Sequence, residues 1–371
     1  MRISRRASRR AAGLVKGGRL TQRDIARIAG VSQATVSLVL NDAKAAAGRI
    51  PDETRERVQK AIRETGYVAD PIARRMAKGL NRILGVFTYE PAFPSAQADF
   101  FAPFLFGIEE TAQTLGYDLL LLTGAPANRG KRKIFDENNR LRLADGCVIL
   151  GREFDRAELK RLVAGDYPFV AVGRRDPIGG PAGAPVPYVG ADYVAATAEM
   201  VRRARAKGHT RLAYVGPSKG AESSVDRWNG FASAIGEADA KLAPRAELAL
   251  HIAEVGGRAL PMLEAIRQSG ATVVFFTEMA DAVIVDAAAR SQNLAVPGDL
   301  SIVVLGSHLR PMQSGTRFTT FSVPREEMAR RATQMLCERI EAGSAGEQVV
   351  LPCEPVEGET LGAIQQTQAA N

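Results

Sequence analysis

Three cysteines, three histidines and one tryptophan are all that a chain of 371 residues holds of these types. Cys147, Cys337 and Cys353 are far apart and odd in number, which excludes a disulfide framework and any thiolate metal spacing. They read as reduced thiols in a cytosolic compartment. His209, His251 and His308 are isolated from one another, so no paired-histidine metal motif exists. His209, in "KGHTRLAYVG", is expected to tie down the start of a strand. No apolar run approaches the roughly 18 residues that span a bilayer, and no membrane partner is expected. Phosphate-binding glycine fingerprints are missing too: "GPSKGAES" lacks the GKS or GKT ending and reads as a loop. With no nucleophile elbow either, neither an enzyme nor a metal or cofactor is expected. The twin arginines of "SRRASRRAAGLVKGG" suggest an export signal. Such a signal needs an apolar stretch of at least ~7 residues, whereas here it runs only from Ala11 to Val15, and Lys16 and Arg19 interrupt the residues beyond.

The residue types that are plentiful are unevenly distributed. Hydrophobic residues make up 46% of the chain, ample for two or three domains. Residues 1–82 hold 19 Lys and Arg against 7 Asp and Glu, a surplus of twelve; the remainder holds 30 against 34. All the excess positive charge therefore lies in the first fifth, as in a polyanion-binding head on an ordinary globular body.

In "LTQRDIARIAG", Thr21 and Asp24 approximate a capping box, and Ile25, Ala26, Ile28 and Ala29 form one apolar face. Gly30 permits the positive φ that ends a helix. Ser32 then caps a second helix whose Val36, Val39 and Leu40 face inward and which Asn41 closes. Two short helices around a glycine turn make a helix-turn-helix, whose second helix presents its N-terminal side chains to the major groove. Gln33 suits adenine and Ala34 a thymine methyl. Ser32, Thr35 and Ser37 suit phosphates. Thr21, Leu38 and Asn41 complete the expected DNA-facing set. "PDETRERVQKAIRETGY" predicts a third helix, from Pro51 to Gly66, with Val58, Ile62 and Tyr67 closing a core. "DPIARRMAKG" predicts about two further turns, too short to stand alone. Arg74, Arg75 and Lys78 point to DNA as the partner.

Together, "LTQRDIARIAGVSQATVSLVLN" and "IPDETRERVQKAIRETGYVADPIARRMAKG" resemble the head and hinge of the LacI/GalR family of bacterial transcription regulators. The resemblance implies a homodimer whose paired hinge helices enter the minor groove at the centre of a near-palindromic double-stranded operator. The family's hinge leucine, a wedge between base pairs, falls on Met76, and its hinge alanine on Ala73, beside Arg74. Methionine is also an accepted wedge. The sequence departs from short family members in the "KAAAGR" loop and the basic tail, and Leu38 stands where arginine is frequent. The expected organisation is a basic, disordered tail at 1–19, a DNA-binding domain at 20–69, a hinge helix and linker at 70–81, and an effector-binding and dimerisation domain at 82–371.

After Arg82, short apolar runs such as "DLLLLTG", "LADGCVILG", "PFVAVGR", "RLAYVG", "ATVVFFTE" and "LSIVVLG" alternate with helical stretches. This predicts an α/β body of parallel sheets wrapped by helices, with ligands bound outside the carboxyl ends of the strands. Residues 83–361 also resemble the family's effector domain, similar to periplasmic sugar-binding proteins. That implies two α/β subdomains around a ligand, with three chain crossovers expected near 175–187, 306–315 and 340–349. "VDRWNGF" matches the family's R-x-x-G-aromatic motif, making Arg227 the leading pocket residue. Glu278 and Met279 stand at the family's Asn-Asp, and Gly306 replaces its sugar-binding aspartate. Tyr89, Phe101, Arg152 and Arg174 are the candidates on the facing subdomain.

The resemblance favours a carbohydrate or other small metabolite as effector. The lost aspartate and the strand-end arginines favour an anionic ligand such as a sugar acid; Glu278 opposes this unless it pairs with an arginine. The expected function is a DNA-binding transcription regulator, a repressor, under allosteric control. The alternative is a solute-binding protein of the same fold with an incidental basic head. It needs an export signal and no hinge.

Overall fold

The structure is a computed structural model that describes residues 20–41, 50–68, 80–90, 95–123, 132–135, 140–237, 246–306, 315–343 and 346–364. Ala73, Arg74 and Met76, the "KAAAGR" loop and the tail at 1–19 lie outside the described residues. The chain divides into two compact units, Met1–Asn81 and Arg82–Asn371.

In the first unit, α1 (Gln22–Ala29) opens on a complete capping box. The Thr21 side chain accepts from the Asp24 amide, and the Asp24 carboxylate accepts from the Thr21 amide. Gly30 stops it in the left-handed conformation, at φ 67°. In α2 (Gln33–Asn41), the Thr35 amide donates to Ser32 Oγ at 3.1 Å, the expected N-cap. α3 (Asp52–Thr65) ends at Gly66, also left-handed. Ile25, Ala26, Ala29, Val36, Val58, Ala61 and Tyr67 form the core, with Val39, Leu40 and Ile62 packed against it. Ile28 is a correction: it is 48% exposed. One short helix turns only a narrow stripe inward, and Ile25, Ala26 and Ala29 already fill it.

The second unit has two lobes. Its first sheet is entirely parallel, in the order β11-β5-β4-β3-β1-β2. The strands are β1 (Ile83–Thr88), β2 (Asp118–Leu121), β3 (Gly146–Leu150), β4 (Phe169–Val172), β5 (Tyr188–Ala191) and β11 (Gln348–Leu351). With α4 (Ser95–Leu115), α5 (Arg156–Ala164) and α10 (Arg325–Ala342) they build the first lobe. The second sheet, also parallel, runs β7-β6-β8-β9. Its strands are β6 (Arg211–Val215), β7 (Glu247–Ile252), β8 (Val273–Phe276) and β9 (Ser301–Val304). Around it lie α6 (Tyr193–Ala206), α7 (Glu222–Gly236), α8 (Ala259–Gln268) and α9 (Met279–Ser291). β10 (Thr320–Ser322) and β12 (Glu354–Val356) pair antiparallel beside it. Strands β1, β3, β4, β8 and β9 are buried and rich in valine, isoleucine, leucine and phenylalanine, as sheets covered on both faces require, while the edge strands β2, β7 and β11 are partly exposed.

All three crossovers lie later than expected. β5 pairs with β4 and β11, so the chain leaves the first lobe only at 191–193. A parallel bridge from Val303 to Thr319 keeps the chain in the second lobe until 322–325, and α10 packs on α4 and the first sheet. The last crossing is at 351–354, between β11 and β12. Hydrogen-bond partners far along the chain decide which sheet a strand joins, and local composition carries no mark of them.

Candidate functional site

In the head, Ser32, Gln33 and Ala34 are exposed at the start of α2, while Thr35, Ser37 and Leu38 are half-buried. The expected reading residues therefore share one accessible helix end. Gln33 is not idle there: its Oε1 accepts from Arg23 Nε at 3.2 Å. Thr21 is exposed, but its hydroxyl donates to Asp24 Oδ2 at 2.8 Å, which leaves it acceptor capacity only. Asn41 ends α2, and its side chain lies outside the described residues.

In the body, a cavity of about 190 Å³ opens between the lobes at the carboxyl ends of strands from both sheets. Phe101 from α4 lines it, as do Arg152 beyond β3 and Arg174 beyond β4. From the second lobe come Arg227 on α7, Glu278 after β8 and Gly306 after β9. Six of the seven expected residues thus converge. Tyr89 does not: it is 1% exposed, with its ring against Phe87 and Phe154 in the core beneath. The chain continues past β1 with Tyr89 turned into that apolar cluster, away from the cleft.

Charge pairs tie the lobes together. Arg174 Nε donates to Asp226 Oδ2 at 2.7 Å, and Arg175 Nη1 to Glu222 Oε2 at 2.8 Å. Arg152 and Glu278 approach to 3.9 Å. In each pair the arginine belongs to the first lobe and the acid to the second. Glu222 and Asp226 sit one turn apart on α7 and therefore face the same way. Burial depresses the Arg175 guanidinium, which Glu222 opposes. Burial likewise raises the Asp226 carboxyl, against the pull of Arg174. For Arg174 burial works downward, yet hydrogen bonds to Asp226 and Asp176 hold it above its ordinary value.

Arg227 is placed differently. Its Nε donates to Leu305 O at 2.7 Å, its Nη1 to Ser223 O at 3.0 Å, and its guanidinium lies 3.9 Å over the Tyr193 ring. A Cβ on Gly306 would meet Arg227 Nη2 at 3.3 Å. Gly230, the glycine of the same motif, serves packing instead. A Cβ there would stand 2.3 Å from Val194 O, so its absence lets α6 and α7 meet closely. Trp228, also in the motif, stacks on His251 at 4.4 Å.

The sequence reading missed Arg175, Asp226, Tyr193 and Arg325, all of which line the cleft. Asp226 adjoins Arg227 and Arg175 adjoins Arg174, so adjacency was a usable signal for those two. Arg325 follows Pro324 at the start of α10, more than a hundred residues from its cleft neighbours on β3 and β4, and no local pattern marks it. His209 does what was expected of it, bonding Thr272 Oγ1 at 2.8 Å and Gly362 O at 3.0 Å just before β6. Among the described residues no group of acids, histidines and cysteines is placed to hold a metal, and no helix is long and apolar enough to cross a membrane.

The family model for bacterial regulatory proteins of the lacI family matches residues 21–70, and that for the periplasmic binding protein-like domain matches 201–361. Residues 21–70 thus match the lacI family of bacterial regulatory proteins, and the relatives that the chain resembles are transcriptional regulators. Among lacI-family relatives, the HTH-type transcriptional repressor CytR of Escherichia coli is 28% identical over 336 residues, 88% of this chain and 91% of CytR. The HTH-type transcriptional regulator MalR of Streptococcus pneumoniae is 27% identical over 226 residues; the match spans 58% of this chain and 62% of MalR, less than two thirds of its length. The lac repressor dimer bound to operator and the anti-inducer ONPF shares the lacI-family fold at a TM-score of 0.70 and 18% identity, over 93% of this chain and 100% of that one. A CelR–cellobiose complex does so at 0.59 and 22%, over 92% and 100%.

Proposed function

We propose that this chain is a sequence-specific DNA-binding transcription regulator, acting as a repressor, whose hold on a near-palindromic operator is set by a small carbohydrate-like effector in the interlobe cleft. The observation that carries the reading is the capped helix-turn-helix with Gln33 and Ala34 exposed at the start of α2. Nothing in the stability of the body calls for such an end, and a groove of base edges fits it. The likeness to CytR, to a sucrose operon repressor of Klebsiella pneumoniae and to a cellobiose complex supports both the regulatory role and the effector class. A solute-binding protein of this fold uses the body alone and leaves the head without a role.

The proposed mechanism builds on the two lobes. Ligand in the cleft changes how the first lobe rests on the second, and in a homodimer that changes the spacing of the two 70–81 segments. Operator and effector then bias one two-state element, and each must alter the other's affinity by the same factor. Gln33, with one carbonyl lone pair engaged by Arg23, keeps its second lone pair and its amide N–H groups for a bidentate contact to adenine.

The test is selection of bound duplexes from a randomised pool, followed by affinity against salt. The expected result is a two-half-site consensus with affinity falling linearly in log salt. Loss of binding when residues 1–81 are removed is expected too. Absence of a consensus, or equal binding by residues 82–371, overturns the reading.

A further inference from the structure

We infer that the effector is an acidic carbohydrate: a single sugar-sized polyhydroxy skeleton carrying a carboxylate or phosphate, its anionic group held by Arg227 with Arg152 and Arg325. The inference rests on the cleft being the effector site. Among the described residues five arginines line the cleft, Arg152, Arg174, Arg175, Arg227 and Arg325, against two carboxylates, Asp226 and Glu278. Two of the five are tied to carboxylates of the other lobe. Arg174 spans Asp226 and Asp176, and Arg175 spans Glu222 and the carbonyls of Gly151, Arg152 and Val172.

The other three are poised differently. Among the described residues Arg227 meets no carboxylate; its hydrogen bonds go to the main-chain carbonyls of Leu305 and Ser223. Those bonds orient the fork without neutralising it, and Gly306 puts no side chain before Nη2. Arg152 holds Glu278 only at 3.9 Å, with both side chains about half exposed. That contact answers the objection Glu278 raises in the sequence: the acid has an arginine, and Arg227 still meets no carboxylate among the described residues. Arg152 and Arg325 share one ring, lying 4.9 and 5.7 Å from the Phe100 centroid. Burial depresses Arg325, and the positive charges of Arg227 and Arg152 depress it further, as crowded cations do. An anion among the three relieves that repulsion.

Hydrogen-bond chemistry agrees. Guanidinium groups only donate, whereas sugar hydroxyls both donate and accept. Asp226 is occupied by Arg174 and Gly306 brings no side chain, so among the described residues the acceptors left to a ligand are Glu278 and the hydroxyls of Ser223, Ser224 and Thr277, fewer than the guanidinium donors. A donor-rich site fits an acceptor-only group, and guanidinium forks fit carboxylates and phosphates in particular. Half-buried Phe100 and Tyr193 add aromatic rings to the lining, beneath the arginines stacked on them. The cavity of about 190 Å³ gives room for on the order of a dozen waters, the scale of one substituted monosaccharide.

The test uses the full chain, thermal melting and the fluorescence of Trp228, the only tryptophan and the neighbour of Arg227. D-gluconate and D-glucuronate probe the carboxylate source, D-glucose 6-phosphate the phosphate source, and D-glucose and cellobiose the neutral class. At least one acidic probe is expected to bind ten times tighter than D-glucose or more, and its arm names the source. Arg227→Gln and Arg325→Gln should each weaken it tenfold or more with the unliganded melting temperature kept; Arg227→Lys, which retains charge, should restore part of the loss should Arg227→Gln fold poorly. Binding of no acidic probe at millimolar concentration, or neutral sugars binding as tightly, overturns the inference. A neutral sugar whose binding is lost in Arg227→Gln sinks the anion while the cleft stands as the effector site. Acidic probes that bind both glutamine variants like the parent protein sink the cleft itself.

Discussion

Head and body are held by interactions of different reach. In the described part of the head, side-chain hydrogen bonds join residues at most ten apart, as Arg23 to Gln33, and mostly three or four. In the body the decisive ones are distant: Arg174 to Asp226 spans 52 residues, Arg227 to Leu305 spans 78, and Arg330 to Glu110 spans 220. The side-chain hydrogen bonding of the head is therefore local, and a shared apolar core joins its three helices. The body depends on partners that only the closed fold brings together. Damage to the head should be small and confined, whereas damage at the lobe contact should be large.

Glu222→Ala is expected to have the largest effect. It leaves the Arg175 guanidinium, 3% exposed, without its carboxylate. Removing one partner of a buried pair costs about 3–5 kcal/mol. Denaturation followed by Trp228 fluorescence reads the body alone, since the head contains no tryptophan; a loss under about 1 kcal/mol would place this pair among inconsequential surface contacts.

His209→Ala comes next. It removes both bonds of the buried ring, to half-buried Thr272 and Gly362, each of about 0.5–1.5 kcal/mol. pH sharpens the expectation. Burial holds the His209 ring below its ordinary 6.5, so the unfolded chain takes up the proton first. The stability linked to this ring is full above pH 6.5 and is lost as pH falls below it. His209→Ala should flatten that part of the stability–pH curve; an unchanged slope refutes the assignment.

Gln33→Ala acts on DNA rather than on folding. Discrimination should fall by about 1–3 kcal/mol at one base position of each half-site, with the denaturation of the body untouched. An unaltered consensus from the mutant excludes Gln33 as a base reader. Thr21→Ala should have the smallest effect, about 1 kcal/mol from the lost cap. Faster hydrogen exchange at the first amides of α1, with the Trp228 transition unmoved, is the pattern that keeps the two units separate. A coupled shift of both would break the comparison.

Legibility in the sequence follows the same division. Thr21 with Asp24, Gly30, Ser32 and Gly66 announced the helix ends because a cap is a contact between near neighbours. Ile28 misled because a period-based stripe does not state its own width. In the body, buried strands betray themselves by composition, and the strand ends offered Arg152, Arg174, Glu278 and Gly306, which all line the cleft. Tyr89 fits the same pattern, yet its ring turns inward. The crossovers were misplaced because nothing near β5 or α10 records which sheet each will join. Arg325 escaped for the same reason, and so did the pairing of Arg152 with Glu278, which turns an apparent contradiction in the cleft's charge into a matched contact.

Gly306 carries a consequence for the history of the cleft. Its φ of 130° is a conformation that side-chain-bearing residues rarely adopt. An aspartate there would meet strain of about 1–3 kcal/mol, besides crowding Arg227 Nη2. Restoring the acid with one codon change therefore does not restore the pocket that the family's pattern describes. The backbone at Gly306 must shift as well, so an acid at this position takes two changes rather than one.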